Sequence, residues 1–61
     1  MPSLPLNDAA MLAAVINRYL RDGEYADLGD ICASFDLERE RLEEILAGGG
    51  FAYSPELNKV R

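Results

Sequence analysis

Eleven acidic side chains, six basic ones, a single cysteine and no histidine bound the chemistry open to this chain. The charged groups are densest at Glu38, Arg39, Glu40, Arg41, Glu43 and Glu44. Carboxylates crowded this way could take up a cation or a basic partner, and the guanidinium groups among them could meet phosphates. Metal uptake is disfavoured, because Glu40, Glu43 and Glu44 splay away from Leu42, Ile45 and Leu46 and no loop supplies carbonyl ligands. Phosphate contact is opposed by sign: four glutamates against two arginines leave the run at −2, facing a duplex that carries one negative charge per ~1.7 Å.

Cys32 is the only thiol. A reactive thiolate needs an electropositive setting, whereas Asp30 and Asp36 flank this one. No histidine exists to act as its base, so Cys–His catalysis is excluded. One cysteine without histidine also argues against structural zinc. Cys32 reads as a small core residue. The chain holds no P-loop, no Gly-x-Gly-x-x-Gly and no nucleophile–base pair. We therefore expect no enzyme activity, no cofactor and no metal.

These groups must be positioned by very few elements. With 61 residues, positions 1–61 form one domain burying only ~60% of its unfolded surface. An apolar share of 49% marks it as globular. The net charge of −5 disfavours nucleic acid or an anionic membrane as the main partner. A lone cysteine, no basic and apolar leader, and no apolar run of ~18 residues together predict a cytoplasmic protein that does not enter a membrane.

Pro2 and Pro5 predict an extended tail over 1–6. Asn7 reads as an N-cap, with Leu6 and Met11 forming a hydrophobic staple. Leu12, Val15, Ile16 and Tyr19 then share one face of a helix over 8–22, which Gly23 stops. Asp27, with Asp30 three residues on, opens a second helix over 28–35 that buries Leu28, Ile31, Cys32 and Phe35. Asp36 and Leu37 make a tight connection. A third helix over 38–47 buries Leu42, Ile45 and Leu46 and ends at Gly48, with the three glycines acting as a hinge. Phe51 to Tyr53 and Lys59 to Arg61 alternate as strands around Ser54-Pro55-Glu56-Leu57-Asn58, predicting a hairpin over 51–61. The fold class is mainly α: a three-helix, helix-turn-helix-like bundle with a short C-terminal β-hairpin. The predicted core is Leu12, Val15, Ile16, Tyr19, Leu20, Leu28, Ile31, Phe35, Leu37, Leu42, Ile45, Leu46, Phe51 and Tyr53.

On this frame the acidic face Glu40, Glu43 and Glu44 is either solvated or docks a basic protein. Ala10, Ala13, Ala14 and Asn17 fall opposite the apolar stripe of the first helix. They form either a run of good helix formers or a self-association strip for a homodimer. Arg39, Arg41, Lys59 and Arg61 are the alternative nucleic-acid contacts. Should the hairpin fold against the first helix, Arg18 and Arg21 would join Lys59 and Arg61 in a small basic patch, and a small ligand could sit between helix and hairpin. The leading reading is a non-catalytic protein-interaction or self-association module; the alternative is a degenerate DNA-binding regulator.

Met11-Leu12, Asn17, Leu20-Arg21-Asp22, Tyr25, Leu28, Ile31-Cys32, Asp36-Leu37, Leu42, Gly50-Phe51, Tyr53 and Asn58, in that order, resemble a family of small bacterial proteins classed as a domain of unknown function. The resemblance spans Leu4 to Arg61 and implies a bacterial cytoplasmic protein with no established activity and no functional residues to carry over. Asp27 to Arg61 separately resembles a winged-helix domain, whose third helix enters the major groove. The acidic third helix departs from that pattern.

Overall fold

The computed structural model describes residues 4–61. Three helices are followed by a two-stranded antiparallel hairpin: α1 (Ala9–Arg21), α2 (Leu28–Ser34), α3 (Arg39–Gly48), β1 (Tyr53–Ser54) and β2 (Lys59–Val60). The expected three-helix bundle with a C-terminal hairpin is the fold observed.

Two helices start on aspartate caps. The N-cap of α1 is Asp8, not Asn7; its carboxylate accepts from the Met11 amide at 3.1 Å. That shift places Met11 at the third helical position, where it is 52% exposed, so the Leu6–Met11 staple does not form. Asp27 caps α2 by accepting from the Asp30 amide, and Asp30 reaches back to accept from the Ala26 amide, both at 2.9 Å. This is the expected box, moved one residue outward on its return arm. Glu38 stands at the cap of α3 without a side-chain bond.

All three helices stop in the same way. After each C-cap comes a left-handed residue: Gly23 (φ 76°), Asp36 (φ 55°) and Gly50 (φ 83°). The next residue donates its amide back to the third-last helical carbonyl: Glu24 to Tyr19 at 3.1 Å, Leu37 to Cys32 at 2.9 Å and Phe51 to Leu46 at 2.9 Å. These are Schellman closures, which satisfy carbonyls the helix end leaves orphaned. They also turn Leu37 and Phe51 inward to pack on the core.

The three glycines therefore do not form a hinge in the folded chain. Gly48 is the last residue of α3, and Gly50 supplies the left-handed turn. Gly49 is the point of closest approach: a Cβ there would lie 2.4 Å from that of Ala9. The start of α1 thus rests on the end of α3.

Leu12, Ile16, Leu28, Ile31, Leu42 and Leu46 are fully buried, with Leu4, Ala13, Cys32 and Val60 nearly so. The remaining predicted core residues are half-buried around them. Leu4 corrects the expected tail. Only residues 4–6 of it are described, and they do not run out as an extended arm, since Leu4 is buried and the chain turns over 5–8 (Asp8 amide to Pro5 carbonyl, 3.1 Å). Positions 1–3 lie outside the described residues. Tyr19, Tyr25 and Phe35 close one edge of the core, with Tyr25 edge-on to Tyr19 at 5.2 Å and Phe35 stacked on Tyr19 at 6.2 Å.

Two expectations follow from this packing. Ile31→Ala or Leu42→Ala should each cost ~2–5 kcal/mol in urea unfolding, because both side chains are wholly enclosed. Asp36→Gly should instead raise the urea midpoint, by about 1 kcal/mol of stability. It relieves a left-handed L-residue and removes a negative charge from the C-terminal end of α2. A loss on Asp36→Gly would show that the Asp36 side chain has a structural role of its own.

Candidate functional site

Ala52 and Arg61 exchange both backbone bonds, at 3.0 and 2.9 Å, and Tyr53 pairs with Val60 in the next position. Tyr53 and Val60 are thus a non-hydrogen-bonded pair, with their own amides and carbonyls turned outward from the ladder. On the β2 side that outward edge is met by Asn17. Its Oδ1 accepts from the Val60 amide at 2.7 Å, and its Nδ2 donates to the Val60 carbonyl at 2.9 Å. One carboxamide on α1 does what a third strand would do.

A second asparagine anchors the other end. Asn58 has φ 51° and closes the four-residue loop. It accepts from the Tyr53 hydroxyl and donates to the Ala26 carbonyl at 2.9 Å, binding the hairpin to the α1–α2 connection. Asparagine enters the left-handed region more readily than most residues and keeps a side chain free to bond. Neither contact was predicted. In the sequence Asn17 falls in the candidate self-association strip with Ala10, Ala13 and Ala14, and a bond spanning 43 positions leaves no local signal.

The self-association strip is accordingly not a free surface. Ala13 is 4% exposed, and the Asn17 side chain is engaged by β2; only Ala10 and Ala14 remain exposed. The helix face was misassigned because α1 is covered on two flanks, by α3 on one and by β2 on the other. The expected ligand space between the first helix and the hairpin is closed for the same reason, with Val60 filling it. A shallow groove does exist beside Val15, Arg18, Tyr19, Asp22 and Glu24, on the rim of the aromatic cluster.

The charged candidates are placed unequally. Glu40, Glu43 and Glu44 are exposed on α3, as expected. Arg39 lies 5.4 Å from the centre of the Tyr53 ring, and its Nε stands 3.8 Å from Glu43. It therefore ties α3 to β1 through a cation–π contact. Arg41, Lys59 and Arg61 are exposed and make no ion pair among the described residues. Lys59 lies on β2 and Arg61 directly after it; the loop tip carries Glu56 and Leu57, the latter 54% exposed. Arg18 and Arg21 both approach Asp22, at 3.9 and 3.3 Å, in solvent-exposed pairs that contribute little.

Cys32 is buried, and its pKa is raised. Burial is the main cause; Arg39 works against it and Glu43 adds to it. The thiol is held in its unreactive form. Among the described residues no three His, Cys, Asp or Glu side chains are grouped to hold a metal ion, and no helix is long and apolar enough to cross a membrane.

Set against known proteins, the chain matches over residues 6–60 the family described as a domain of unknown function (DUF4250), and it belongs to that family. No curated protein and no solved structure matches it. Tyr25, Phe51, Tyr53 and Asn58, among the residues that carry the resemblance in sequence, occupy the aromatic edge, the α3 closure and the hairpin anchor.

Asn17→Ala should strip both partners from Val60 and cost ~1–3 kcal/mol. Loss of amide-exchange protection at Val60 should precede any loss of helicity. Asn17→Asp keeps an acceptor for the Val60 amide but sets a carboxylate oxygen against the Val60 carbonyl, and should be no more stable than Asn17→Ala. The Cys32 thiol should resist a disulfide reagent at neutral pH in the native protein and react in urea along the unfolding curve. Labelling ahead of unfolding would show that the thiol is reachable in the fold.

Proposed function

We propose that this member of the DUF4250 family is a non-catalytic protein-interaction module that docks a basic partner on the exposed face of α3. The observation that carries the reading is the placing of Glu40, Glu43 and Glu44. All three are exposed on the second helix of the helix-turn-helix outline, and among the described residues only Glu43 has a cation beside it. Carboxylates held on a rigid helix steer a cationic partner at long range and select against anionic ones.

The charge balance of the whole chain, −5, supports the same reading. Nothing comparable favours DNA. Arg39 is spent on Tyr53 and Glu43, and the hairpin tip offers Glu56 where a wing would need a cation. The absence of a histidine and the protonated state of the buried Cys32 support a role without catalysis.

The test pairs affinity capture from the source organism's lysate with a direct DNA-binding assay. Wild-type protein should retain a basic partner that the Glu40→Lys/Glu43→Lys/Glu44→Lys variant does not, and raised salt should weaken the capture. Both proteins should show equal helicity, since the three side chains lie outside the core. Salt-dependent binding of wild-type protein to duplex DNA, lost on charge reversal at Arg41, Lys59 and Arg61, would overturn the proposal in favour of a DNA-binding regulator.

A further inference from the structure

The two edges of the hairpin differ. Val60 turns its amide and carbonyl toward α1, where Asn17 meets both. Tyr53 turns its own pair the opposite way, and neither group meets a hydrogen-bonding partner among the described residues. α1 lies along β2, whereas no helix packs along β1 to a similar extent. This free edge is short, because Pro55, next on the same side, has no amide to offer. It suits about three residues of extended chain, the central one exchanging both backbone bonds with Tyr53.

The side chains around the edge indicate what such a segment should carry. Tyr53 and Val60 share the face toward the helices, and Ala52, Ser54, Lys59 and Arg61 share the opposite face. Lys59 sits across the ladder from Ser54, and Arg61 from Ala52. Both cations are exposed and make no ion pair among the described residues. A strand added beside β1 would stand two spacings from β2, ~10 Å, with only the small side chains of Ala52 and Ser54 between. A lysine or arginine and a glutamate together span that distance. On the helix side Arg39 is already held by the Tyr53 ring and by Glu43. That side calls for an apolar side chain beside the ring, not for a charge.

We propose that the outer edge of β1 binds an extended acidic segment of a partner protein by strand addition, in the pattern acidic–x–acidic. Residue x pairs with Tyr53 and lays an apolar side chain beside its ring. The flanking carboxylates cross Ala52 and Ser54 to reach Arg61 and Lys59. A second copy of this chain is the poorer occupant, since its own edge brings the same two cations and no carboxylate to that face. The net charge of −5 does not oppose the contact, because exposed charges beyond ~8 Å are largely screened at physiological salt. The site uses none of the α3 glutamates, so binding at one surface is independent of binding at the other.

The experiment titrates isotope-labelled full-length protein with a capped peptide of alternating glutamate and valine, read by amide shifts and hydrogen exchange. We expect the Tyr53 amide to shift and to exchange more slowly. Lys59→Gln/Arg61→Gln should bind ~10-fold more weakly, with the Val60 amide still protected, as its bond to Asn17 requires. A peptide methylated on its valine nitrogens keeps the charge but loses the backbone donors, and should leave the Tyr53 amide unchanged. Equal binding of the methylated peptide would overturn the proposal, because charge alone would then account for the contact. So would tighter binding of the matching lysine–valine peptide, or no response of Tyr53 at any peptide concentration. Shifts at Tyr53 that grow with protein concentration in the absence of peptide would assign the edge to a second copy and overturn it equally.

Discussion

One side-chain amide decides whether the last eleven residues are structure or tail. β1 and β2 are two residues each, far too short to persist on the ladder bonds between them. The outward edge of β2 would face α1 with a bare amide and carbonyl at Val60, a position 4% exposed. Burying either group unpaired costs as much as a good hydrogen bond returns. Asn17 answers both at once, because a carboxamide presents a donor and an acceptor in the same plane as a peptide group. Val60 can then close the core, Tyr53 can lie beneath Arg39, and α1 can be covered on its second flank.

That covering changes what α1 is. A helix packed on one side needs a single apolar stripe, and Leu12, Val15, Ile16 and Tyr19 supply it. A helix packed on two sides also needs a second flank on which a strand can approach closely. Ala13 provides the small side chain and Asn17 the polar match. The same logic holds where α1 begins: Ala9 meets Gly49, where an added Cβ would lie 2.4 Å from that of Ala9. Small residues here mark close approach within one chain.

Local rules carried most of the fold in the sequence. Apolar spacing placed the three helices to within a residue or two, the aspartate pair Asp27 and Asp30 marked the start of α2, and Gly23 marked the end of α1. These features act over three to five residues, where periodicity and capping leave a signature. The failures were of a different kind. Asp36 takes the left-handed position that glycine fills at the other two helix ends, and an aspartate there reads as an ordinary turn residue. Leu4 enters the core from a segment whose prolines signal only extension. Asn17 is matched by a residue 43 positions away. Of the candidate site, the exposure of Glu40, Glu43 and Glu44 was legible because their apolar neighbours fixed the buried face. The engagement of Arg39 was not, because the Tyr53 beneath it arrives only with the hairpin.

The α3 arrangement shows how a shape and its charges can part company. Two short helices, a tight connection and a hairpin satisfy a hydrophobic core whatever the outer residues are, so the outline implies no ligand. The outer residues of α3 are constrained only by solvation and by each other. Arg39 pairs weakly with Glu43 and steadies Tyr53, which leaves Glu40 and Glu44 as like charges one turn apart, a mildly unfavourable spacing for an isolated helix. Exchanging either for lysine or glutamine would relieve the repulsion without touching the core. The fold tolerates that repulsion because it is small, ~0.2–0.5 kcal/mol in an isolated helix, and reaches no residue of the core.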